Sequence, residues 1–138
     1  MPSLARVVRR FNLSAIEIAV AGNAAAGTVV PGAVLPQGAR PIGIQSLGGA
    51  TGGASPTMDI GASANPAIAA LATADPDYFH NELDADTAGA IIALTGVGAN
   101  IVALAPVQIT AGVGASAATG GTHRSILFFT LGAIPKGT

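Results

Sequence analysis

Residues 35–63, LPQGARPIGIQSLGGATGGASPTMDIGAS, decide the fold of this chain. Apolar side chains alternate with other residues over positions 40–47 and again over positions 55–60, which is typical of half-buried strands. Between them, residues 48–54 include four glycines and indicate a flexible loop with few side chains to pack. This stretch therefore predicts two strands of a β-sheet joined by a glycine-rich loop.

A phosphate-binding loop is the alternative interpretation of the glycine-rich run. Such a loop requires a Lys after its last glycine and a helix behind it. Here Ala54 and Ser55 follow Gly53, and no helical pattern begins at this point. We therefore expect no nucleotide site in this loop and no cofactor in the protein.

The composition predicts one domain with an unusually uncharged surface. A chain of 138 residues has the length of one domain. Only 9 % of its residues are charged, against about 25 % in a typical soluble domain. A monomer with so few charges would expose a poorly hydrated surface, so we expect a homo-oligomer.

The same numbers exclude several classes of function. The chain has no Cys, which excludes disulfides, thiolate metal sites and a Cys nucleophile. Its net charge of −1 argues against direct binding of nucleic acid, which needs clustered Lys and Arg. No apolar run reaches the roughly 18 residues of a membrane span, so we expect no membrane partner.

The first residues form a basic segment. Residues 9–13, RRFNL, resemble a twin-arginine export signal, but the alternating apolar residues that follow and Glu17 among them favour a strand. We interpret residues 1–13 as an N-terminal basic arm and residues 14–138 as a single domain. The arm carries Arg6, Arg9 and Arg10, which we expect to contact an acidic partner; a solvated arm is the alternative.

Five further segments have the composition of short strands: residues 14–20, 28–35, 88–92, 100–110 and 122–131. Pro31 and Pro106 predict an edge, a bulge or a break in two of them. The last segment is apolar on both faces, with Ser125, Leu127 and Phe129 on one of them, and this favours a central strand.

One stretch suits a helix. It runs from Asn65 to Ala74, where Asn65 can cap the helix and Pro66 suits its first turn. Many short strands separated by Gly and Pro, with at most this one short helix, predict an all-β protein. The expected architecture is a single β-sandwich, jelly-roll-like.

Residues 75–86, DPDYFHNELDAD, hold five of the seven acidic residues and form the most polar segment. Calcium binding and carboxylate catalysis beside His80 are the alternatives here. The spacing is not that of an EF-hand, and no polar triad converges, so we expect no metal site, no catalytic residue and no enzyme. We expect a solvated loop whose Tyr78 and Phe79 insert into the mouth of the barrel or contact a neighbour. We expect His123 at the surface or at a strand edge.

Four short segments carry a resemblance to a known class of protein. They are LPQGAR at 35–40, MDIGAS at 58–63, DPDYF at 75–79 and SILFFTL at 125–131. In this order the chain resembles small structural proteins of tailed bacteriophages, over a span from Ser14 to Leu131. The resemblance implies a β-sandwich virion protein that decorates the head or forms spikes or fibre bases on it, and it assigns no functional residue.

On this resemblance we expect a capsid decoration (cement) protein that binds the head lattice as an oligomer. The alternative is a head spike or fibre-base protein that mediates binding to the host surface. The expected partners are further copies of the chain and the major capsid protein or another virion protein. The expected location is the virion, assembled in the host cytoplasm. The candidate partner contacts are Arg6, Arg9, Arg10, Tyr78 and Phe79.

Overall fold

The structure, a computed structural model, describes residues 13–20, 25, 27–49, 57–84, 88–114 and 122–131. Within these residues the chain forms seven strands: β1 Leu13–Val20, β2 Val29–Leu35, β3 Ala39–Gly48, β4 Thr57–Ala62, β5 Asp75–Asp84, β6 Val107–Val113 and β7 His123–Leu131. A single turn of 3₁₀ helix, Ala69–Leu71, lies between β4 and β5. None of the helices in the described ranges has the length and apolar character needed to cross a membrane.

The strands form two antiparallel sheets, in the orders β1-β7-β3 and β2-β6-β4-β5. Their pairings are nested along the chain. The first strand pairs with the last, β2 pairs with β6, and β4 pairs with β5. In the same nested order, between the β2–β6 pair and the β4–β5 pair, β3 contacts residues 88–92 through the bridges Ile44–Ile92 and Leu47–Ala88. A long hairpin rolled up in this nested way into two packed sheets is a jelly roll, so the prediction of an all-β sandwich is confirmed.

The core lies between the inner faces of the two sheets, and β7 lies at the centre of one of them. Ser125, Leu127 and Phe129 are buried on its inner face, while Phe128 between them is only partly buried. The prediction of a central strand is therefore confirmed. The expectation for His123 was wrong, because this side chain is 1 % exposed on the same inner face.

The structure corrects the interpretation of residues 75–86 as a solvated loop, because most of them form β5. The strand is bulged against β4. His80 pairs with Ile60 and Asp75 pairs with Ala62, so five residues along β5 correspond to only two along β4. The bulge has three extra residues, and it begins beside Gly61, where a Cβ atom would overlap the backbone of Asp75 and Pro76. Only glycine permits this close approach.

A second irregularity in β5 involves Glu82, which has a left-handed backbone with a φ of 57°. Its N–H donates to the Asp59 carboxylate of β4 at 2.9 Å, so the neighbouring strand holds this bend in place. Bulges interrupt the two-residue alternation of a strand. This interruption is the reason that the segment does not read as a strand in the sequence.

The predicted helix is reduced to the single 3₁₀ turn. Asn65 does not cap this turn, whose N-cap is Ile68. The Asn65 Oδ1 instead accepts the N–H of Ala67 at 3.0 Å, in a separate turn before the 3₁₀ helix. The N–H of Asn65 donates to the carbonyl of Leu71 at 2.7 Å, which closes the segment into a compact loop. Ile68 and Leu71 are buried and fix this loop to the core.

The two prolines act as predicted. The register of β2 against β6 shifts between Pro31 and Val34, and β6 begins at Val107, directly after Pro106. Residues 88–92 are not a regular strand, because they contribute only two isolated bridges. Of the expected basic arm, residues 1–12 lie outside the described residues, and Leu13 belongs to β1.

Candidate interaction surface

Residues 88–105, here called the strap, lie along the outer edges of β3 and β5, each an edge strand of its sheet. Near its beginning, the N–H of Gly89 donates to the carbonyl of Ser46 at 3.0 Å. Near its end, the N–H of Ala103 donates to the carbonyl of Ala39 at 2.8 Å. Exposed strand edges bind other chains without discrimination, so this cover limits uncontrolled pairing at β3.

The middle of the strap lies on β5. The N–H of Gly96 donates to the carbonyl of Phe79 at 3.0 Å, and the N–H of Gly98 donates to that of Tyr78 at 2.8 Å. A Cβ atom at Gly98 would overlap the ring of Tyr78. Glycine is therefore required for the strap to lie this close to β5.

Tyr78 and Phe79, two of the candidate partner contacts, belong to the core beneath the strap. They are 6 % and 1 % exposed, and their rings meet edge to face with centroids 4.9 Å apart. Burial, with a smaller contribution from the Asp75 charge, raises the pKa of the Tyr78 hydroxyl. Contact of these two residues with a partner remains a prediction. The other candidates, Arg6, Arg9 and Arg10, lie outside the described residues.

The outer face of the strap is apolar. Six large apolar side chains of the strap are exposed: Ile91, Ile92, Val97, Ile101, Val102 and Leu104. Leu104 is the most exposed of them, at 71 %. The sequence of residues 88–105 contains no Asp, Glu, Lys, Arg or His. Exposed apolar residues gathered in this way mark surfaces that bind other proteins.

Sequence reasoning missed this surface because it divided residues 88–110 between two strands and the turn joining them. Half-buried strands would have placed the apolar side chains of this region in the core. The available signal was the length of the charge-free run, which begins at Thr87, includes the whole strap and ends at Thr122. Such a run, interrupted by glycines, contains more apolar residues than a thin covering segment can bury.

A groove of about 300 Å³ opens near the beginning of the strap, between the ends of β3 and β5. Its apolar lining includes Leu83, Ala88, Ala90 and Ile92. Glu82 and Asp84, both exposed, line it as well. The groove thus combines apolar surface with negative charge. Across the described ranges, no three His, Asp or Glu residues lie close enough to hold a metal ion.

His80 is a buried titratable group on β5. It is 4 % exposed, and its Nδ1 has no hydrogen-bond partner among the described residues. Burial lowers the pKa of His80 below its ordinary value of 6.5, and the charge of Asp59 offsets part of this effect. The folded protein therefore favours the neutral imidazole.

This burial predicts a pH-dependent stability. The unfolded chain takes up a proton on His80 at a higher pH than the folded chain does. Between the two pKa values the unfolded state binds more protons, so the free energy of unfolding falls as the pH drops below about 6.5. We expect the melting temperature to fall between about pH 7.5 and pH 5.5. Restricting the range to this window avoids Asp75, a carboxyl whose pKa desolvation raises.

The control for this prediction is His80→Leu, which fills the buried position with an apolar side chain that cannot titrate. Its melting temperature should change less with pH than that of the unaltered protein. Subtracting the two profiles removes the contributions that the two proteins share. Parallel profiles for the two proteins would show that His80 does not carry the effect.

Comparison with known proteins gives a likeness of fold. No protein-family profile and no curated protein matches the chain. A solved chain of the capsid of Ralstonia phage GP4 matches with a TM-score of 0.57 and 24 % identity, over 90 % of this chain and 86 % of that chain. A chain of the Cyanophage Pam1 capsid asymmetric unit matches with a TM-score of 0.53 and 16 % identity, over 96 % of this chain and all of that one (100 %). This chain therefore has the fold of these two capsid chains.

Proposed function

We propose that the chain is a structural protein of a phage virion, and specifically a capsid decoration (cement) protein that binds the head lattice as an oligomer. The observation that carries the proposal is the charge-free strap with six exposed apolar side chains on a jelly-roll sandwich. The solved chains that share this fold belong to phage capsids, which supports the same setting for this chain. The proposal gives the chain no catalytic role and locates it in the virion, after assembly in the host cytoplasm.

The strap surface suits an assembly. Burying apolar surface contributes about 25 cal/mol for each Å² removed from water, and the strap offers this without the cost of desolvating a charge. A lattice also repeats the same contact many times. Modest contacts by each copy are therefore amplified when an oligomer binds several lattice points at once.

Self-association is one part of the proposal. The partner that covers the strap is a further copy of the chain or a subunit of the shell. Size-exclusion chromatography with light scattering should show an oligomer at micromolar concentration. A monomer over the whole concentration range would remove the self-association part of the proposal.

The decoration role is tested on virions of the phage that encodes the chain. We expect particles from a phage lacking the gene to assemble but to lose their DNA at a lower temperature than complete particles. Adding the purified protein back should restore their thermal stability. Particles that keep their stability but adsorb poorly to cells would instead identify a head spike or fibre-base protein.

A further inference from the structure

The charges of this chain are segregated along the sequence. Between Arg40 and Arg124 it contains no Lys or Arg, although six of the seven acidic residues lie there. The remaining acidic residue, Glu17, is bound to Arg124 at 2.7 Å. Three of the six basic residues lie in the first ten positions. The acidic segment 75–86 and the basic segment 6–10 are therefore the two clusters of opposite charge in the sequence.

The groove beside β5 is where this negative charge meets apolar surface. Glu82 and Asp84 line it together with Leu83, Ala88 and Ile92. Ile92 is 44 % exposed, so the groove offers apolar surface that the chain itself leaves open. A segment that fits this groove needs apolar side chains flanked by positive charge.

Residues 6–10 of the arm, RVVRR, have this chemistry. Val7 and Val8 are apolar, and as β-branched residues they favour an extended backbone. Arginines precede and follow them, and a guanidinium group binds carboxylates with directed hydrogen bonds. We propose that residues 6–10 of one copy dock in the groove of a second copy, with the two valines on its apolar lining and the arginines on Glu82 and Asp84.

The strand register indicates why a second copy is needed. Leu13 pairs with Thr130, which in turn pairs with Arg40, so the arm leaves the sheet at the Arg40 end of β3. The groove lies at the other end of β3, beside Ser46. Along β7 the two ends are five residues apart, from Thr130 to Ser125, since β3 is bulged between Pro41 and Gly43. Five strand steps of about 3.3 Å and two strand spacings of about 4.8 Å separate Leu13 from Ser46 by roughly 19 Å.

An arm from the same copy points away from the groove. Because β1 runs from the Arg40 end of β3 toward its Ser46 end, the chain before Leu13 continues in the opposite direction. To return, it would have to reverse within residues 10–12, and the four residues 6–9 would then span at most about 14 Å of the roughly 19 Å to Ser46. This inference rests on one part of the proposed function, the self-association of the chain. It names the two segments that would contact each other between copies.

Complementary charge reversal tests the docking. In the arm variant, Arg6, Arg9 and Arg10 are replaced by Glu. In the groove variant, Glu82→Lys and Asp84→Lys are combined. Each variant alone then sets like charges against each other, and we expect its self-association to weaken at least about tenfold. An equimolar mixture should associate again, because the acidic arm of one chain meets the basic groove of the other.

Sedimentation velocity at low and high salt measures the association, and thermal unfolding checks that each variant is folded. Arg40→Glu is the control, since it reverses an exposed charge outside the arm and should leave association unchanged. The arm variant lies outside the described fold, so it tests the proposal even where the groove variant unfolds. High salt should weaken association of the unaltered protein, because exposed ion pairs are screened.

Three results would overturn the inference. Unchanged association of the arm variant would show that the arm does not dock. Weakened variants that fail to associate when mixed would exclude the exchange between copies. An arm variant that self-associates normally but no longer binds capsids would assign the arm to the shell protein. In the first and third cases self-association persists, so the proposed function stands while this inference fails.

Discussion

The Phe79→Ala variant is expected to lose about 3–5 kcal/mol of unfolding free energy, the range for removing a buried aromatic ring. Phe79 is 1 % exposed, and its ring contacts Tyr78 edge to face. Its carbonyl accepts the N–H of Gly96, so the same residue supports the strap. The backbone around it is held by β4 on one side and the strap on the other, which prevents the cavity from closing.

Denaturant unfolding measures this loss, with Phe128→Ala as the matched control. Phe128 is the same residue type but lies on the outer face of β7, where it is only partly buried. Its replacement should cost less than half as much. Equal losses for the two variants would contradict the position of Phe79 in the core beneath the strap. Hydrogen exchange at Gly96 and Gly98 should also quicken in the Phe79 variant alone.

The second large effect is expected at the strap. We predict that Ile101→Asp combined with Leu104→Asp converts the proposed oligomer to a monomer without unfolding the chain. Both side chains are more than half exposed, at 52 % and 71 %, so the folded monomer loses little. A central apolar contact in an interface contributes about 2 kcal/mol or more, which corresponds to a loss of affinity of roughly 30-fold. Burying a carboxylate there adds a further cost.

Light scattering and sedimentation measure this change, and Val29→Asp is its control. Val29 is 56 % exposed and pairs with Gly112, at the end of β2 farther from the strap, so this variant adds an exposed charge at a comparable apolar site. It should keep the oligomer. If the strap variant and the control variant both dissociate, the effect is a general one of added charge. If neither dissociates, the contact surface lies elsewhere.

Sequence patterns predict most of the sandwich because most of its strands alternate. Residues 14–20 were predicted as a strand, and β1 is Leu13–Val20. The central position of β7 followed from apolar residues on both of its faces. The prolines marked the shift in β2 and the start of β6. In each case the local sequence and the tertiary structure require the same conformation.

Sequence patterns failed where the backbone is irregular. The bulges of β5 bury Tyr78, Phe79 and His80 in succession, so neither alternation nor polarity identifies this strand. Five acidic residues in 75–86 suggested a solvated loop, but β5 is an edge strand in which Glu82 and Asp84 are exposed and Asp75 and Asp77 are half-buried. His123 was misjudged for a related reason, because its burial depends on the face of β7 and not on its polarity.

The candidate surface was only partly accessible from the sequence. Tyr78 and Phe79 were recognised as unusual aromatic residues in a polar segment, but their place beneath the strap depends on contacts with Gly96 and Gly98. Those contacts join residues far apart in the chain, and no local pattern reports them. Low charge was the one bulk feature that predicted an interaction surface, and the candidate for it is the exposed apolar side chains of residues 88–105.

The most direct test of a strap-mediated virion role is a cryo-electron microscopy reconstruction of the virion that contains this chain. We expect jelly rolls of this chain at every equivalent position of the head lattice, each with Ile101 and Leu104 buried against a neighbouring subunit. A shell without the chain, or copies whose straps all face solvent, would contradict the proposal.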